Sequence, residues 1–271
     1  AQQAAAKTFL ARGDWDSVAV ESRRAIDTLT PEVRGDYPDC AYARYLAGFG
    51  LELIDDDSNA ALQYREAAKL LENLAIDENT GAIAPRATGA DAAPVDTSPW
   101  SAELVCFVMT GKAPRGGQVW KAEANLDEAG YAELYAGDQR LGRSYALTDT
   151  MDLAFTTEQK EMARKMVKTV ARIAAKESLA QQIEQDNELL GELVRFVLIG
   201  LLEQPDVRRW ETLPRHLQVA RVPCPPGLKS FTVVYRTSSG VERKRQEITF
   251  PLHNRRQTYV SFCRDLAPGD R

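Results

Sequence analysis

Apolar side chains in the first quarter of the chain recur every three or four residues, which is the spacing of amphipathic helices. Gly13 can adopt the positive φ that ends a helix, and Asp14 can cap the helix that follows. A second pair of helices is expected around the acidic turn at 55–59, and a loop at 30–39, where proline and glycine are frequent. The pattern therefore predicts helical hairpins over residues 2–75.

The two predicted hairpins look like copies of one another. Three pairs of positions align: Ala19 with Ala61, Ser22 with Tyr64, and Ala25 with Ala67. Small side chains at such positions let paired helices pack closely, and an aromatic ring fills the gap, which is the logic of the tetratricopeptide repeat. That repeat has a period of about 34 residues, and the offset of about 42 here is explained by the loop at 30–39. Because roughly three repeats are needed for a stable stack, we expect further cover from a preceding segment, a second domain or a partner.

Residues 77–100 are rich in proline, glycine and alanine and contain few bulky side chains, so we predict a linker there. After residue 101 the pattern changes to strands. Strands are predicted at 102–109, 217–222, 231–235, 246–250 and 258–263. Gly240 and the two serines before it would form the hairpin turn between the third and fourth of these strands. Residues 123–143 fit neither the helical nor the strand pattern clearly.

Two helices are expected between the first strand and the remaining ones. Thr156 and Thr157, followed by an acidic residue, predict the capped start of a long helix with one apolar face. Residues 189–202 are apolar almost all round, as in a helix at the centre of a domain or in a membrane. This segment is shorter than the roughly 20 residues of a membrane span and contains Glu192 and Arg195, so we predict a core helix.

Together these patterns predict an α+β protein. Residues 1–76 would form tetratricopeptide-like helical repeats, residues 77–100 a linker, and residues 101–271 an α+β domain. In that domain an antiparallel sheet or sandwich would pack on the two central helices. A chain of 271 residues, with 44% hydrophobic and 27% charged residues, can bury a core of this size.

The overall charge argues against a nucleic-acid partner. The formal net charge is -5, so no basic field surrounds the chain to attract a phosphate backbone. A local basic stretch at 243–245, followed later by Arg255 and Arg256, lacks the interleaved aromatic residues of a base-stacking surface. We interpret this stretch as a solvated hairpin.

The sequence contains no motif with catalytic or metal-binding spacing. His216 and His253 are isolated from one another, the acidic run at 55–57 lacks the alternate spacing of a calcium loop, and no GxSxG elbow occurs. We therefore expect no catalytic residues, no metal and no cofactor, and a protein that is not an enzyme.

The cysteines allow two interpretations. Cys40, Cys106, Cys224 and Cys263 are too far apart in sequence for a CxxC zinc or redox motif. The last three lie on or beside predicted strands. Buried thiols are the favoured interpretation, and a single disulfide is the alternative.

The most distinctive passage is 204–222, in which an acid, two arginines and a tryptophan precede a threonine-leucine-proline step and a strand that ends in alanine and arginine. The residues of interest are Asp206, Arg208, Arg209, Trp210 and Arg221. The passage resembles one in an uncharacterised bacterial family of envelope lipoproteins with tetratricopeptide-like N-terminal helices, most sharply over 206–227. Genes of that family often lie beside one for a lipoprotein that activates penicillin-binding proteins.

The predicted repeats favour a non-catalytic scaffold that binds an envelope protein or peptide, because repeat arrays commonly bind partners on their concave faces. The resemblance implies that this scaffold belongs to the cell envelope and is linked to peptidoglycan synthesis. It implies a location in the periplasm or anchored at the outer membrane. No signal peptide or lipobox cysteine follows Ala1, so we expect a mature or trimmed chain, attached to a membrane only through a lipid anchor that these residues do not contain. The alternative is a small-molecule or glycan-binding module of the periplasm, with its site between the sheet and the central helices.

The residues of this passage also have a physical interpretation of their own. Trp210 offers a large apolar area with one hydrogen-bond donor, and Arg208 or Arg209 could form a bidentate pair with a carboxylate such as Asp206. We favour a structural corner that joins the central helix to the sheet. A binding site at the same residues is the alternative.

Overall fold

The computed structural model describes residues 2–86, 101–112, 129–157, 159–160, 213–249 and 258–265. Its N-terminal part is helical, as the sequence pattern predicts. The helices are α1 (Gln2–Arg12), α2 (Trp15–Leu29), α3 (Pro31–Arg34), α4 (Ala41–Glu52) and α5 (Asp57–Lys69). The short helix α3 lies inside the stretch expected to be a loop, because Pro31 in its first turn is already fixed at a helical φ.

The turn between α1 and α2 forms for local reasons. Gly13 has a φ of 69°, a backbone conformation that side-chain-bearing residues rarely adopt. Asp14 accepts a hydrogen bond from the Ser17 N–H at 3.2 Å and so caps α2. Both features confirm the prediction from the sequence.

Helix α4 lies between α2 and α5, and all of its residues except Glu52 are buried. On one side Gly50 faces α2, where an added Cβ would lie 2.8 Å from a methyl group of Val18. On the other side Gly48 faces α5, where a Cβ would lie 3.1 Å from the ring of Tyr64. A glycine weakens a helix by about 1 kcal/mol relative to alanine. Here the two glycines allow both neighbouring helices to approach α4 closely.

A small antiparallel hairpin, β1 (Leu74–Ile76) and β2 (Ile83–Pro85), follows the helices. In the described part of the chain, two four-stranded sheets come after it. The first contains β3 (Glu103–Thr110), β6 (Tyr145–Asp149), β7 (His216–Pro223) and β10 (Thr258–Arg264), in the order β10-β3-β7-β6. The second contains β4 (Ala129–Ala136), β5 (Gln139–Arg143), β8 (Ser230–Thr237) and β9 (Glu242–Thr249), in the order β5-β4-β8-β9.

The strand pairing agrees with the sequence in part. The hairpin of β8 and β9 turns at Gly240, whose φ is 88°, as predicted. Residues 129–143, part of the stretch that fitted neither pattern, form β4 and β5. The pairing of β10 with β3 is parallel, whereas the sequence suggested an antiparallel sheet throughout. Alternation of side chains identifies a strand, but it does not reveal which neighbour that strand joins or in which direction.

Strand β3 is buried on both faces because the described residues form three layers. Phe107 points to the helices, and its ring lies 5.7 Å from that of Phe49 in α4. Leu104 and Cys106 point the other way and pack on the second sheet. The helices, the first sheet and the second sheet are therefore successive layers, and the first sheet supplies cover that two helical hairpins alone would lack.

The helix expected to start at Thr156 starts earlier. Residues 150–157 are already helical, and the Met151 N–H donates to Asp149 Oδ1 at 2.8 Å, which caps the helix. Thr157 Oγ1 donates to the Leu153 carbonyl at 2.7 Å, a hydrogen bond made inside a helix. The prediction of a threonine cap was wrong because threonine can bond to the preceding turn as well as cap the following one.

Other predictions concern residues outside the described ranges, among them the apolar segment 189–202 and residues 87–100 of the expected linker. The start of that linker contains β2 and a turn in which Asp77 accepts a hydrogen bond from the Thr80 N–H at 2.8 Å. The domain boundaries stay a prediction. No helix within the described ranges is long and apolar enough to cross a membrane.

Candidate functional site

Of the residues that the sequence singles out, the described structure contains Arg221, near the end of β7. Asp206, Arg208, Arg209 and Trp210 lie outside the described residues, and their role as a corner or binding site stays a prediction. Arg221 belongs to a buried ion-pair cluster that joins two layers of the protein. We use the name Arg221 cluster for Arg221, for the residues that its guanidinium contacts, and for the residues that contact the carboxylates paired with it.

The Arg221 side chain is 4% exposed, and its guanidinium contacts two carboxylates. Its Nε and Nη2 donate to Glu103 at 2.8 and 3.0 Å. Its Nη1 and Nη2 donate to Glu52 at 2.9 and 2.7 Å. Nη1 also donates to the Tyr64 hydroxyl at 3.3 Å. These contacts use all the guanidinium N–H groups, and both carboxylates are bound in bidentate fashion.

Four elements supply Arg221 and the groups that its guanidinium contacts. Arg221 lies opposite Val105 in the antiparallel pair of β7 and β3, and Glu103 begins β3. Glu52 is the last residue of α4, and Tyr64 lies on α5. The cluster therefore connects the helical layer to the first sheet.

Hydroxyl groups complete the hydrogen bonding of the two carboxylates. Tyr64 donates to Glu52 Oε2 at 2.5 Å. Thr258, the first residue of β10, donates to Glu103 Oε1 at 2.9 Å. Each carboxylate thus receives hydrogen bonds from the guanidinium and from a neutral hydroxyl. Such saturation offsets part of the cost of removing two charges from water.

The turn at Gly81 closes one side of the cluster. Gly81 has a φ of 63°, and a Cβ at this position would lie 2.5 Å from Arg221 Nη1. The Tyr45 hydroxyl donates to the Gly81 carbonyl at 2.8 Å, which holds the turn against α4. Both the backbone conformation and the available space therefore require glycine here.

The electrostatics keep Arg221 charged. Burial alone would lower its pKa, but the ion pair with Glu52 and the neighbouring Tyr64 outweigh that effect and raise the pKa well above its ordinary value. For Tyr64, burial and then the charge of Glu52 raise the pKa well above the usual range. Tyr64 therefore remains a neutral donor at physiological pH.

This arrangement is suited to holding the helical layer and the first sheet together. The guanidinium keeps its proton, and the lone pairs of Glu52 and Glu103 already accept hydrogen bonds from within the protein. A general acid or base needs a proton that can be exchanged with a substrate, so proton transfer is not what this geometry favours. Across the described ranges, no group of three or more histidine, cysteine, aspartate or glutamate side chains is placed to hold a metal ion.

A second arginine has a similar role within the helices. Arg44 of α4 is buried and donates to Asp39 at 2.9 Å and to the Gln63 side chain at 3.0 Å. Its Nη2 also donates to the Leu29 carbonyl, at the end of α2, at 3.0 Å. Arg44 thus ties α4 to both α2 and α5.

The sequence pointed to Arg221 but missed its partners. Glu52 and Glu103 lie 169 and 118 positions away from it along the chain. One signal was present: an arginine inside a mostly apolar strand needs a buried acceptor, because an unpaired charge is costly in a protein interior. That signal requires a carboxylate, but it does not identify which one.

The described helices also expose apolar side chains. Val20 of α2 and Leu62 of α5 are 46% and 43% exposed. They occupy equivalent positions when the two hairpins are aligned as in the sequence, since Val20 follows Ala19 and Leu62 follows Ala61. An apolar residue repeated at one exposed position is a candidate contact for a partner.

Comparison with known proteins adds no family assignment to this geometry. No protein-family model, no curated protein and no solved structure matches the chain.

Proposed function

We propose that the chain is a non-catalytic scaffold of the bacterial cell envelope that binds a protein partner through its helical layer. In this proposal the hairpins α1–α2 and α4–α5 are tetratricopeptide-like repeats. Burial of Ala25 and Ala67, at equivalent positions of the two hairpins, supports this assignment. Small residues at helix crossings are typical of that repeat.

The observation that carries the proposal is the shared exposure of Val20 and Leu62. Repeat proteins commonly bind partners on an extended concave surface. Here α4 is covered by the first sheet, as the contact of Phe49 with Phe107 illustrates, so that side is occupied by the chain itself. We therefore assign the partner to the solvent-facing sides of α2 and α5.

The Arg221 cluster supports the same proposal. By fixing α4 to the first sheet through Glu52, it holds the helical layer in one orientation. A docking surface that is rigid before binding loses less conformational entropy when the partner arrives.

As the partner we propose the lipoprotein that activates penicillin-binding proteins. The support is the resemblance of residues 206–227 to a family whose genes often accompany the gene for that lipoprotein. The chain would then act in the periplasm or at the outer membrane, in peptidoglycan synthesis.

The test is a titration of the full chain with the purified soluble part of such an activator lipoprotein, followed by calorimetry. We expect saturable binding, weakened at least about tenfold by the double variant Val20→Glu, Leu62→Glu. A carboxylate placed in an apolar contact must lose its hydration without gaining a partner.

The matched control is Thr28→Glu with Ser58→Glu, which adds the same charges at exposed polar positions of α2 and α5. Binding by this control should equal that of the wild type, and circular dichroism should show that both double variants are folded. Equal weakening by the two pairs, or no binding by the wild type, would refute the proposed surface. Saturable binding of soluble peptidoglycan fragments that is unaffected at Val20 and Leu62 would instead support a glycan-binding module.

A further inference from the structure

Two cysteine side chains meet between the sheets. Cys106 of β3 and Cys263 of β10 are 0% and 2% exposed, and their Sγ atoms lie 2.8 Å apart. Along the chain they are 157 positions apart. Cys106 lies opposite Ser261 in the parallel ladder, and Cys263 lies opposite Val108, so the two cysteines are diagonal neighbours. Both side chains lie in the apolar layer shared with the second sheet.

The distance between the two sulfur atoms is intermediate between two kinds of contact. Non-bonded carbon atoms pack at about 3.5–4.0 Å, and sulfur atoms, which are larger than carbon, ordinarily pack no closer than that. A disulfide bond has a length of about 2.05 Å. The fold therefore holds the two thiols closer than ordinary packing would, in a place where a bond between them needs a movement of less than about 1 Å.

We propose that Cys106 and Cys263 form a disulfide bond when the chain folds in an oxidising compartment. The oxidant is a disulfide donor, either a small molecule such as oxidised glutathione or a disulfide-bearing protein. One cysteine thiolate attacks the donor and releases its first thiolate, which leaves a mixed disulfide. The second cysteine thiolate then attacks the protein sulfur of that mixed disulfide and releases the other donor thiolate. Two cysteine protons are lost, and the donor is reduced to two thiols.

Strand β10 can accommodate the bond. In the described part of the first sheet it is the edge strand, paired with β3 alone. A small shift of β10 toward β3 therefore disturbs no second ladder. The other two cysteines, Cys40 and Cys224, have no role in this proposal and serve as internal controls.

The timing of bond formation follows from burial. Burial raises the pKa of the Cys106 thiol well above its usual range, so little of the reactive thiolate exists once the sheets have packed. Neither sulfur is open to a donor in solution at that stage. The bond must form during folding, before the second sheet covers β3, and in the folded protein it is protected from reductants.

The experiment unfolds the reduced full chain in guanidinium chloride and refolds it in either dithiothreitol or a mixture of oxidised and reduced glutathione. Each sample is then denatured, labelled with N-ethylmaleimide and analysed by intact mass and peptide mapping. The sequence has four cysteines, so the reduced sample should take four labels. We expect the glutathione sample to take half as many, on Cys40 and Cys224, with Cys106 and Cys263 recovered as one linked peptide.

The double variant Cys40→Ser, Cys224→Ser isolates the proposed pair. After refolding with glutathione it should take no label, and before labelling its intact mass should be lower by two hydrogen atoms than that of the sample refolded in dithiothreitol. Labelling of Cys106 and Cys263 after oxidative refolding overturns the proposal, as does a disulfide that includes Cys40 or Cys224, or a stable glutathione adduct on either member of the pair. If the double variant fails to fold, the peptide map of the wild type decides among the same outcomes.

Discussion

Glu52, the last residue of α4, and Arg221, near the end of β7, lie 169 positions apart in the sequence and share hydrogen bonds of 2.7 and 2.9 Å. This pair joins the helical layer to the first sheet at a point where the Arg221 side chain is 4% exposed and the Glu52 side chain 12% exposed. Arg221 is the cation shared by Glu52 and Glu103, so the loss of Arg221 leaves two carboxylates without a counter-charge, whereas the loss of Glu52 leaves Arg221 paired with Glu103.

The first prediction concerns that ion pair. Arg221→Met keeps an apolar stem of similar length but leaves Glu52 and Glu103 buried without a cation. We expect the free energy of unfolding to fall by about 3–5 kcal/mol, measured by urea denaturation at pH 7. Arg245→Met is the control, since it removes an arginine from the exposed pair with Glu242 and should cost less than about 1 kcal/mol.

A companion variant separates lost charge pairing from lost packing. If Glu52 and Glu103 are also changed to glutamine, the Arg221→Met protein no longer contains buried carboxylates. We expect the triple variant to be more stable than Arg221→Met alone, because neutral amides cost less to bury than unpaired anions. Equal stability of the two variants would mean that the cluster is hydrated and that its charges matter little.

The second prediction concerns the close crossing of α2 and α4. A Cβ on Gly50 would overlap the Ser22 hydroxyl and lie 2.8 Å from a Val18 methyl. Although alanine favours the helix by about 1 kcal/mol, Gly50→Ala should destabilise the protein by about 1–3 kcal/mol through overpacking. Thermal unfolding would measure this.

A double-mutant cycle tests the cause of that loss. Adding Ser22→Gly removes the group that the new Cβ meets, and much of the stability should return. The coupling between the two positions should then be at least about 0.5 kcal/mol, as is usual for residues in direct contact. Strictly additive effects would show that the helices relax apart at this crossing.

The third prediction concerns the pH dependence due to Lys7. Its ammonium lies 4.7 Å from the centre of the Tyr42 ring, and burial lowers the pKa of Lys7 from 10.5 to about 8. The unfolded chain therefore binds more protons between these values, and stability should rise as the pH increases from about 8 to 10.5. Lys7→Met should remove this rise and increase stability at pH 7 by about 1–3 kcal/mol.

Chemical denaturation of both proteins between pH 7 and 10.5 measures that effect. Lys229→Met, at an exposed position, is the control and should leave the slope of stability with pH unchanged. If Lys7→Met kept the wild-type slope of stability with pH, the pH dependence would be due to other titratable groups.

The fourth prediction concerns the part that Asp149 plays in stability at low pH. Burial opposes ionisation of Asp149, but hydrogen bonds from His216 and from the Met151 N–H outweigh it and hold the pKa of Asp149 below its ordinary value of 3.8. Because the pKa of Asp149 is lower in the folded protein than in the unfolded chain, the ionised side chain stabilises the fold fully at pH values above the unfolded-state pKa. That stabilisation is lost as the pH falls below the unfolded-state pKa and through the folded-state pKa. Asp149→Asn keeps the helix cap but removes the charge, so it should be less stable than wild type at pH 7.

The difference between wild type and Asp149→Asn should shrink as the pH falls below 3.8. Equilibrium denaturation across the acid range measures it, with Asp16→Asn at an exposed position of α2 as the control. A difference that is constant with pH would indicate that Asp149 acts by packing and not by charge.

The local elements were predictable because their signals are local. Gly13 and Asp14 specify the end of α1 and the start of α2 through backbone conformation and capping, which depend on a few adjacent residues. The continuous apolar run of β3 indicated burial on both faces, and Gly240 marked the hairpin of β8 and β9. Thr157 shows the limit of such signals, because the same hydroxyl can cap one helix or bond within another.

The candidate site was predictable only in part. An arginine at position 221 inside an apolar strand required a buried acceptor, but several acidic residues could have met that need. The meeting of Glu52 with Arg221, and of Cys106 with Cys263, depends on which strands pair and on which helix covers them. These contacts join residues 169 and 157 positions apart, and such distances are closed by the packing of whole layers.

The sequence by itself located the N-terminal helical hairpins, the strands β3, β7, β8, β9 and β10 and the turn at Gly240, since hydrophobic periodicity, caps and turn glycines act within a few residues. Only the tertiary structure decided that β10 runs parallel to β3, that α4 lies enclosed between α2, α5 and the first sheet, and that Arg221 binds two distant carboxylates. Side-chain alternation is the same for a strand in either direction. The choice between directions is made by the total burial that the three layers achieve together.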